Sequence, residues 1–267
     1  MAERPPRIAI VCEDKAHLHI IQTVADAVVR ARLDLSAEAP LDGWRRWLSQ
    51  DGQPTWKLKD VSRALREKRM PSGRPRHRTR RTQGAPERDA APILDAYELL
   101  SEELDPPDAL IVLTDADNAG DRRRADVDLA RENISSKDAP PIPVFVVGVC
   151  DPMAEGWLIA LLAEMEPVRG RRAEARRALG FDPCVQPERL CADSRQQHHA
   201  KRVARYLLDR HERQIKQASI ATPTVDLYAT LLIEAEVSPR TLKRHTGCGL
   251  APFVEALERD YAPAVVP

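Results

Sequence analysis

Three short apolar runs, separated by stretches of helical periodicity, predict an α/β fold with a mostly parallel sheet flanked by helices. The runs are 7–12 (Arg-Ile-Ala-Ile-Val-Cys), 109–114 (Ala-Leu-Ile-Val-Leu-Thr) and 143–150 (Pro-Val-Phe-Val-Val-Gly-Val-Cys). Each is rich in β-branched residues and apolar throughout rather than alternating, as expected of strands buried on both faces. Strand, helix, strand, helix, strand is the order that right-handed crossovers require.

The helices follow in order. Residues 17–32 place Leu18, Ile21, Val24 or Ala25, and Val28 on one stripe, and 89–103 do the same with Ile93, Tyr97 and Leu100. Residues 122–133 read as a polar surface helix. Beyond Cys150 the chain is mostly helical, with helix-like spacing over 153–165, 169–179, 195–216, 225–236 and 252–261. Ser238-Pro239 and Thr222-Pro223 have the form of helix starts, a capping hydroxyl followed by Pro in the first turn. The expected organisation is a core over 1–165 and a helical part over 166–267 packed on it.

Residues 37–88 interrupt the rhythm and read as an insertion. They hold Trp44, Trp47 and Trp56. Trp44, Trp47 and Leu48 fit one helix face and are expected in a small core, with base stacking as the rival role. From Lys57 to Arg88 there are twelve Lys/Arg against three acids. Arg74, Arg76, Arg78, Arg80 and Arg81, with His77, are expected to contact phosphate backbones, nonspecifically and in a salt-sensitive way.

Composition narrows the class. The chain has 267 residues, 43% of them hydrophobic, which argues against wholesale disorder. Lys plus Arg and Asp plus Glu are both 41, so net charge carries no information about partners. No apolar run approaches membrane-span length and the first residues lack a signal-peptide core. The five cysteines are odd in number and widely spaced. The expectation is a cytoplasmic protein with free thiols. Cys184, Cys191, His198 and His199 do not have the spacing of a zinc site. His211 and His245 read as surface residues, and Thr246-Gly-Cys-Gly-Leu250 as a helix-ending turn.

Ligands in open α/β sheets sit beyond the carboxyl ends of the strands. Glu13 and Asp14 follow the first run, Asp115, Ala116 and Asp117 the second, and Asp151 the third. Carboxylates gathered on one rim repel one another, and a hard divalent cation such as Mg²⁺ relieves that repulsion. In an extended segment, residues two apart project to the same side, so Asp115 and Asp117 are expected to face one metal together. Asp121 can join them or cap the following helix. Asp14 and Asp151 have the same two options.

These motifs carry a resemblance. A Glu ending the first strand (Ile-Ala-Ile-Val-Cys-Glu13-Asp-Lys), then a helix, then an Asp-x-Asp ending a later strand (Ile-Val-Leu-Thr-Asp115-Ala-Asp117), resembles the TOPRIM domain of topoisomerases, primases and overcoming-lysogenization-defect nucleases. Pro152-Met-Ala-Glu155-Gly-Trp157-Leu-Ile-Ala160 is similar to a segment of small stand-alone bacterial TOPRIM-like proteins. The resemblance covers roughly residues 7–165, and more loosely the helix from His198. It departs from the pattern at Asp14, where many relatives have Gly.

The resemblance implies a Rossmann-like TOPRIM core and a Mg²⁺-dependent nuclease, with Mn²⁺ as a substitute. Glu13 would be a metal ligand or general acid/base, Asp115 and Asp117 ligands, Glu155 a further ligand, and Lys201 a cation beside the scissile phosphate. It also implies a nucleic-acid substrate, DNA before RNA, a place in bacterial anti-phage defence beside an ATPase partner, and a possible homo-oligomer. Two rivals stand beside it. One is a non-catalytic nucleic-acid-binding or regulatory subunit. The other is a phosphatase or phospho-acceptor domain with Asp115 as nucleophile, although in haloacid-type phosphatases the Asp-x-Asp usually opens the chain.

Overall fold

The computed structural model describes residues 4–51, 56–69, 90–117, 119–136, 140–166, 168–208, 214, 218 and 225–266. The three apolar runs form strands β1 (Arg7–Cys12), then, after the segment that follows it, β4 (Ala109–Asp115) and β5 (Val144–Cys150). Two further segments, β2 (Arg46–Trp47) and β3 (Trp56–Lys57), both pair with β1. They take one edge of β1 in turn, at Arg7 and Ile8 and then at Val11 and Cys12, while β4 takes the other edge. The sheet therefore has four strand positions, β2/β3–β1–β4–β5, and every pairing is parallel.

This corrects the expected insertion. Arg46–Trp47 and Trp56–Lys57 complete the sheet, and the following helix α2 (Leu58–Arg69) buries Leu58, Val61 and Leu65. Trp44 and Trp47 do not share a helix face, because the chain is extended at 46–47. Trp47 is buried, with the Arg45 guanidinium 5.1 Å above its ring, whereas Trp44 is exposed. Arg74, Arg76, His77, Arg78, Arg80 and Arg81 lie outside the described residues, as do His211, Thr222 and Pro223.

Helices cover both faces. The side chains of Ala9, Val11, Leu110, Val112, Val147 and Val149 pack with α2, α3 (Ala90–Ser101) and α4 (Gly120–Ser135). The alternate residues, Ile8, Ile10, Ile111, Leu113 and Val146, pack with α1 (Lys15–Leu33), α5 (Ala154–Leu161) and α7 (Ala200–Leu208). Burial on both faces explains why the strands are continuously apolar. The same core takes in Phe253, Tyr261 and Val265, so the C-terminal helices α10 (Leu250–Ala256) and α11 (Ala262–Val265) share the core of the sheet.

Local chemistry sets the ends of α1. Asp14 is extended and its carboxylate accepts the Ala16 and His17 N–H groups, a side-chain N-cap. At the other end Asp34 turns left-handed (φ 54°) and Arg30 and Arg32 lie in the last turn, where cations suit the macrodipole. α5 stops at Leu161 rather than 165. α7 begins at Ala200 rather than 195, because the Cys191 N–H and C=O are bonded to the His198 carbonyl and the Ala200 N–H, which holds the preceding residues in turns. Three further described helices fill the C-terminal half together with the elements named: α6 (Val168–Leu179), α8 (Val225–Glu234) and α9 (Pro239–Leu242). Among the described residues, no helix is long and apolar enough to cross a membrane.

Candidate metal centre

Parallel pairing puts the ends of β1, β4 and β5 on one rim, with Cys12 opposite Leu113 and Asp115 opposite Cys150. Glu13 then lies beside the end of β4. Its Oε1 accepts the Thr114 hydroxyl at 2.6 Å and the Asp115 backbone N–H at 3.0 Å. Two donors on one oxygen hold this partly buried carboxylate in place.

Asp115 is buried, and its Oδ1 accepts the Ala154 N–H at 2.7 Å. That N–H opens α5, where backbone donors are free and the macrodipole favours a negative charge. The same Oδ1 meets His17 Nε2 at 3.1 Å, and His17 Nδ1 meets Asp14 Oδ1 at 2.8 Å. Burial alone would lower the pKa of His17. The hydrogen bonds and charges of Asp115 and Asp14 outweigh it and raise it to about 10, so the ring is an imidazolium donating at both nitrogens. Asp14 answers in kind. Burial raises its pKa, but His17 and two backbone N–H groups bring it down to about 2. Asp14 is thus a helix cap and an imidazole partner.

Asp117 departs from the extended geometry expected of the Asp-x-Asp pair. Its backbone is left-handed (φ 49°), and its N–H donates to the Pro152 carbonyl at 3.0 Å. Asp115 is buried while Asp117 stands at the open rim. They meet one field all the same. Partial burial, Asp115 and Glu13 raise the Asp117 pKa, and Arg123 and Lys201 lower it. The turn sets one carboxylate in the core and the next at the solvent-facing rim of the same strand end.

Glu155, in the first turn of α5, is 5% exposed, and its Oε2 has no hydrogen-bond partner among the described residues. Burial and then the charge of Asp115 raise its pKa to about 7, against the opposing pull of Lys201. The charge of Lys201, in the first turn of α7, thus acts on both Asp117 and Glu155. Glu13, Asp115, Asp117 and Glu155, from three segments of the chain, thus act on one another electrostatically, with Lys201 as the opposing charge.

The donor set can be tested against a metal. Glu13, Asp115, Asp117 and Glu155 offer hard oxygen ligands, and the unpartnered Glu155 Oε2 is an acceptor that a cation would satisfy. Among the described residues, the one group of three with ligand atoms within 4.8 Å of one another is instead His17, Asp115 and Cys150, so the four carboxylates would have to draw together around a cation. That group of three fits poorly. A metal needs neutral imidazole and thiolate, whereas His17 is held protonated and burial pushes the Cys150 thiol well up.

Other expected residues fall elsewhere. Asp121 does not join the centre. It is fully exposed in the first turn of α4 and pairs with Arg124 at 3.1 Å. Asp151 is bound to Arg124 at 2.6 Å, and Gly120 leaves room for that pair, since a Cβ there would lie 2.1 Å from Asp151 Oδ2. The five cysteines are free, as expected. His245 is buried, not on the surface, because the 245–249 turn folds back over β5. That turn joins α9 to α10 and locks the rim. The Cys248 carbonyl accepts both the Asp151 N–H at 3.0 Å and Trp157 Nε1–H at 2.7 Å. His17 and Thr114 were not legible as site residues; the only signal for His17 is its spacing three residues after Asp14. Compared with protein-family models, curated proteins and solved structures, the chain matches none of them.

Proposed function

We propose that this chain is a metal-dependent phosphodiesterase that cuts nucleic acid, using Mg²⁺ or, in its place, Mn²⁺. The observation that carries the reading is the placing of Glu13, Asp115 and Asp117 at the ends of adjacent parallel strands, with the buried, half-unpartnered Glu155 and Lys201 in the same electrostatic field. A soluble receptor for a neutral ligand has no use for four mutually repelling carboxylates. A cation bound among them would polarise a phosphate and lower the pKa of a water.

The protein's own residues have separable tasks in this reading. The imidazolium of His17 and the Ala154 N–H hold Asp115 by one oxygen. Thr114 and the Asp115 N–H hold Glu13. Lys201 supplies positive charge at the solvent side, where a phosphate would enter. Glu155, poised near neutrality, suits proton transfer as well as ligation. The phospho-acceptor alternative is less well supported, because Asp115 is buried and Oδ1 already accepts two hydrogen bonds. Work in phage defence with an ATPase partner rests on the family resemblance alone.

The test is incubation of the purified protein with supercoiled plasmid, single-stranded DNA and RNA in Mg²⁺, Mn²⁺ or EDTA, beside an Asp115→Asn/Asp117→Asn variant. Metal-dependent cutting that the variant lacks is the expected result. Equal cutting by the variant would refute the site. Binding without cutting would favour the regulatory-subunit reading.

A further inference from the structure

α6 carries five arginines and no lysine in its twelve residues. Arg169, Arg172, Arg176 and Arg177 fall at i, i+3, i+7 and i+8, which puts them on one face. With Ala173, Gly180 and Asp182 they line an open cleft of about 810 Å³. Asp182 is the one carboxylate in that lining, and Arg172 Nε holds it at 2.9 Å. Arg169 pairs with Glu166 at 3.1 Å. Among the described residues, the exposed Arg176 and Arg177 have no carboxylate within ion-pairing distance. This is a concentrated positive surface on a chain with no net charge.

The pattern works against the helix itself. Arg172 and Arg176 are a like-charged i, i+4 pair. The first turn contains Arg169 and no acid, opposite to what the macrodipole favours. Ion pairs within the chain account for Arg169 and for Arg172, which also meets Glu164 at 3.4 Å, but not for Arg176 and Arg177.

We propose that this face of α6 docks the phosphodiester backbone of a nucleic acid, an inference that rests on the nucleic-acid reading above. The planar guanidinium fork binds phosphate oxygens two at a time, which suits arginine over lysine. Eight residues of helix span ~12 Å, the axial reach of about three or four nucleotides of one strand. The cleft offers no large apolar side chain, whereas a protein partner would seek an apolar or aromatic anchor at the centre of its interface. The surface is also tied to the carboxylate centre. Arg171 donates to the Tyr206 carbonyl on α7, whose first turn carries Lys201.

The experiment is fluorescence anisotropy of the full chain with a labelled DNA duplex and a labelled single strand, in EDTA, across a salt series. Wild type is compared with Arg176→Ala/Arg177→Ala, and far-UV circular dichroism and Tm verify folding. Alanine favours the helix and removes like-charge repulsion, so the fold is expected to hold. Loss of two phosphate contacts should weaken duplex binding roughly tenfold or more at about 0.1 M salt and make the log–log salt slope shallower by about 1.8. Unchanged affinity and slope would overturn the assignment and leave the cleft to an acidic protein. No binding by wild type would overturn it too. Because binding is read without metal, failure of the cutting assay leaves this result untouched.

Discussion

Asp115 Oδ1 meets the ring Nε2 of His17 at 3.1 Å, and both side chains are almost wholly buried. With Asp14 on the other ring nitrogen, a positive imidazolium bridges the end of β4 and the cap of α1. A buried ion pair of this kind contributes more to geometry than to net stability, but removing one member leaves an uncompensated charge.

His17→Asn should therefore destabilise the metal-free protein by about 3 kcal/mol near neutral pH. The pH dependence has a definite sign. His17 has a raised pKa in the folded state, so its contribution is full below about 6.5 and fades as pH rises toward about 10. Asp14 has a depressed pKa, so its contribution fades as pH falls from about 4 toward about 2. Urea unfolding of both proteins in EDTA should show the gap widest between these limits and narrowing above pH 9. A gap independent of pH would show that His17 is a neutral packing residue.

Glu155 should behave in the opposite way. Its folded pKa is raised to about 7, so ionised Glu155 costs stability above that pH, and Glu155→Gln should stabilise the protein in EDTA at pH 8 by up to about 3 kcal/mol. Below pH 4.5 the two proteins should converge. Saturating Mg²⁺ should raise the wild-type Tm, since a ligand at a hundred times its Kd adds about 2.7 kcal/mol, and should raise that of the variant less. Equal responses to Mg²⁺ would remove Glu155 from the ligand set.

Gly249 has φ +84°, and a Cβ there would lie 2.2 Å from the Val149 carbonyl oxygen. Gly249→Ala should cost about 2–4 kcal/mol, from left-handed strain and displacement of the turn whose neighbour, Cys248, anchors Asp151 and Trp157. Denaturant titration measures this directly. A loss below about 0.5 kcal/mol would mean that the turn relaxes freely.

The thiols give a simple check on the fold. Cys12, Cys150, Cys184 and Cys248 are buried, and burial raises their pKa values, to about 12 for Cys12, Cys184 and Cys248. Cys191 is half-exposed. A chromogenic disulfide reagent should titrate one thiol quickly in the native protein and five in guanidinium. Two or more fast thiols would show that the C-terminal turn opens.

The limits of sequence reading show in particular residues. β1, β4 and β5 were legible because burial on both faces demands unbroken apolar runs. β2 and β3 were not, because a two-residue edge segment has no periodicity to detect, and so a piece of the sheet read as part of an insertion. The position of Glu13, Asp115 and Asp117 at the strand ends was legible because each follows a recognisable apolar run. Asp121 satisfied the same rule, yet the turn into α4 carries it out to solvent beside Arg124.

By itself, then, the sequence determined the parallel α/β class and the rim on which acids collect, since both depend on local pattern and strand direction. Tertiary structure decided which acids are buried and which exposed, that Asp117 sits in a left-handed turn, that His17 is the charged partner of Asp115, and that the charge of Lys201 acts on Asp117. Those relations join residues up to about a hundred positions apart. Burial and the field of neighbouring charges arise only when the chain folds, so no local pattern encodes them.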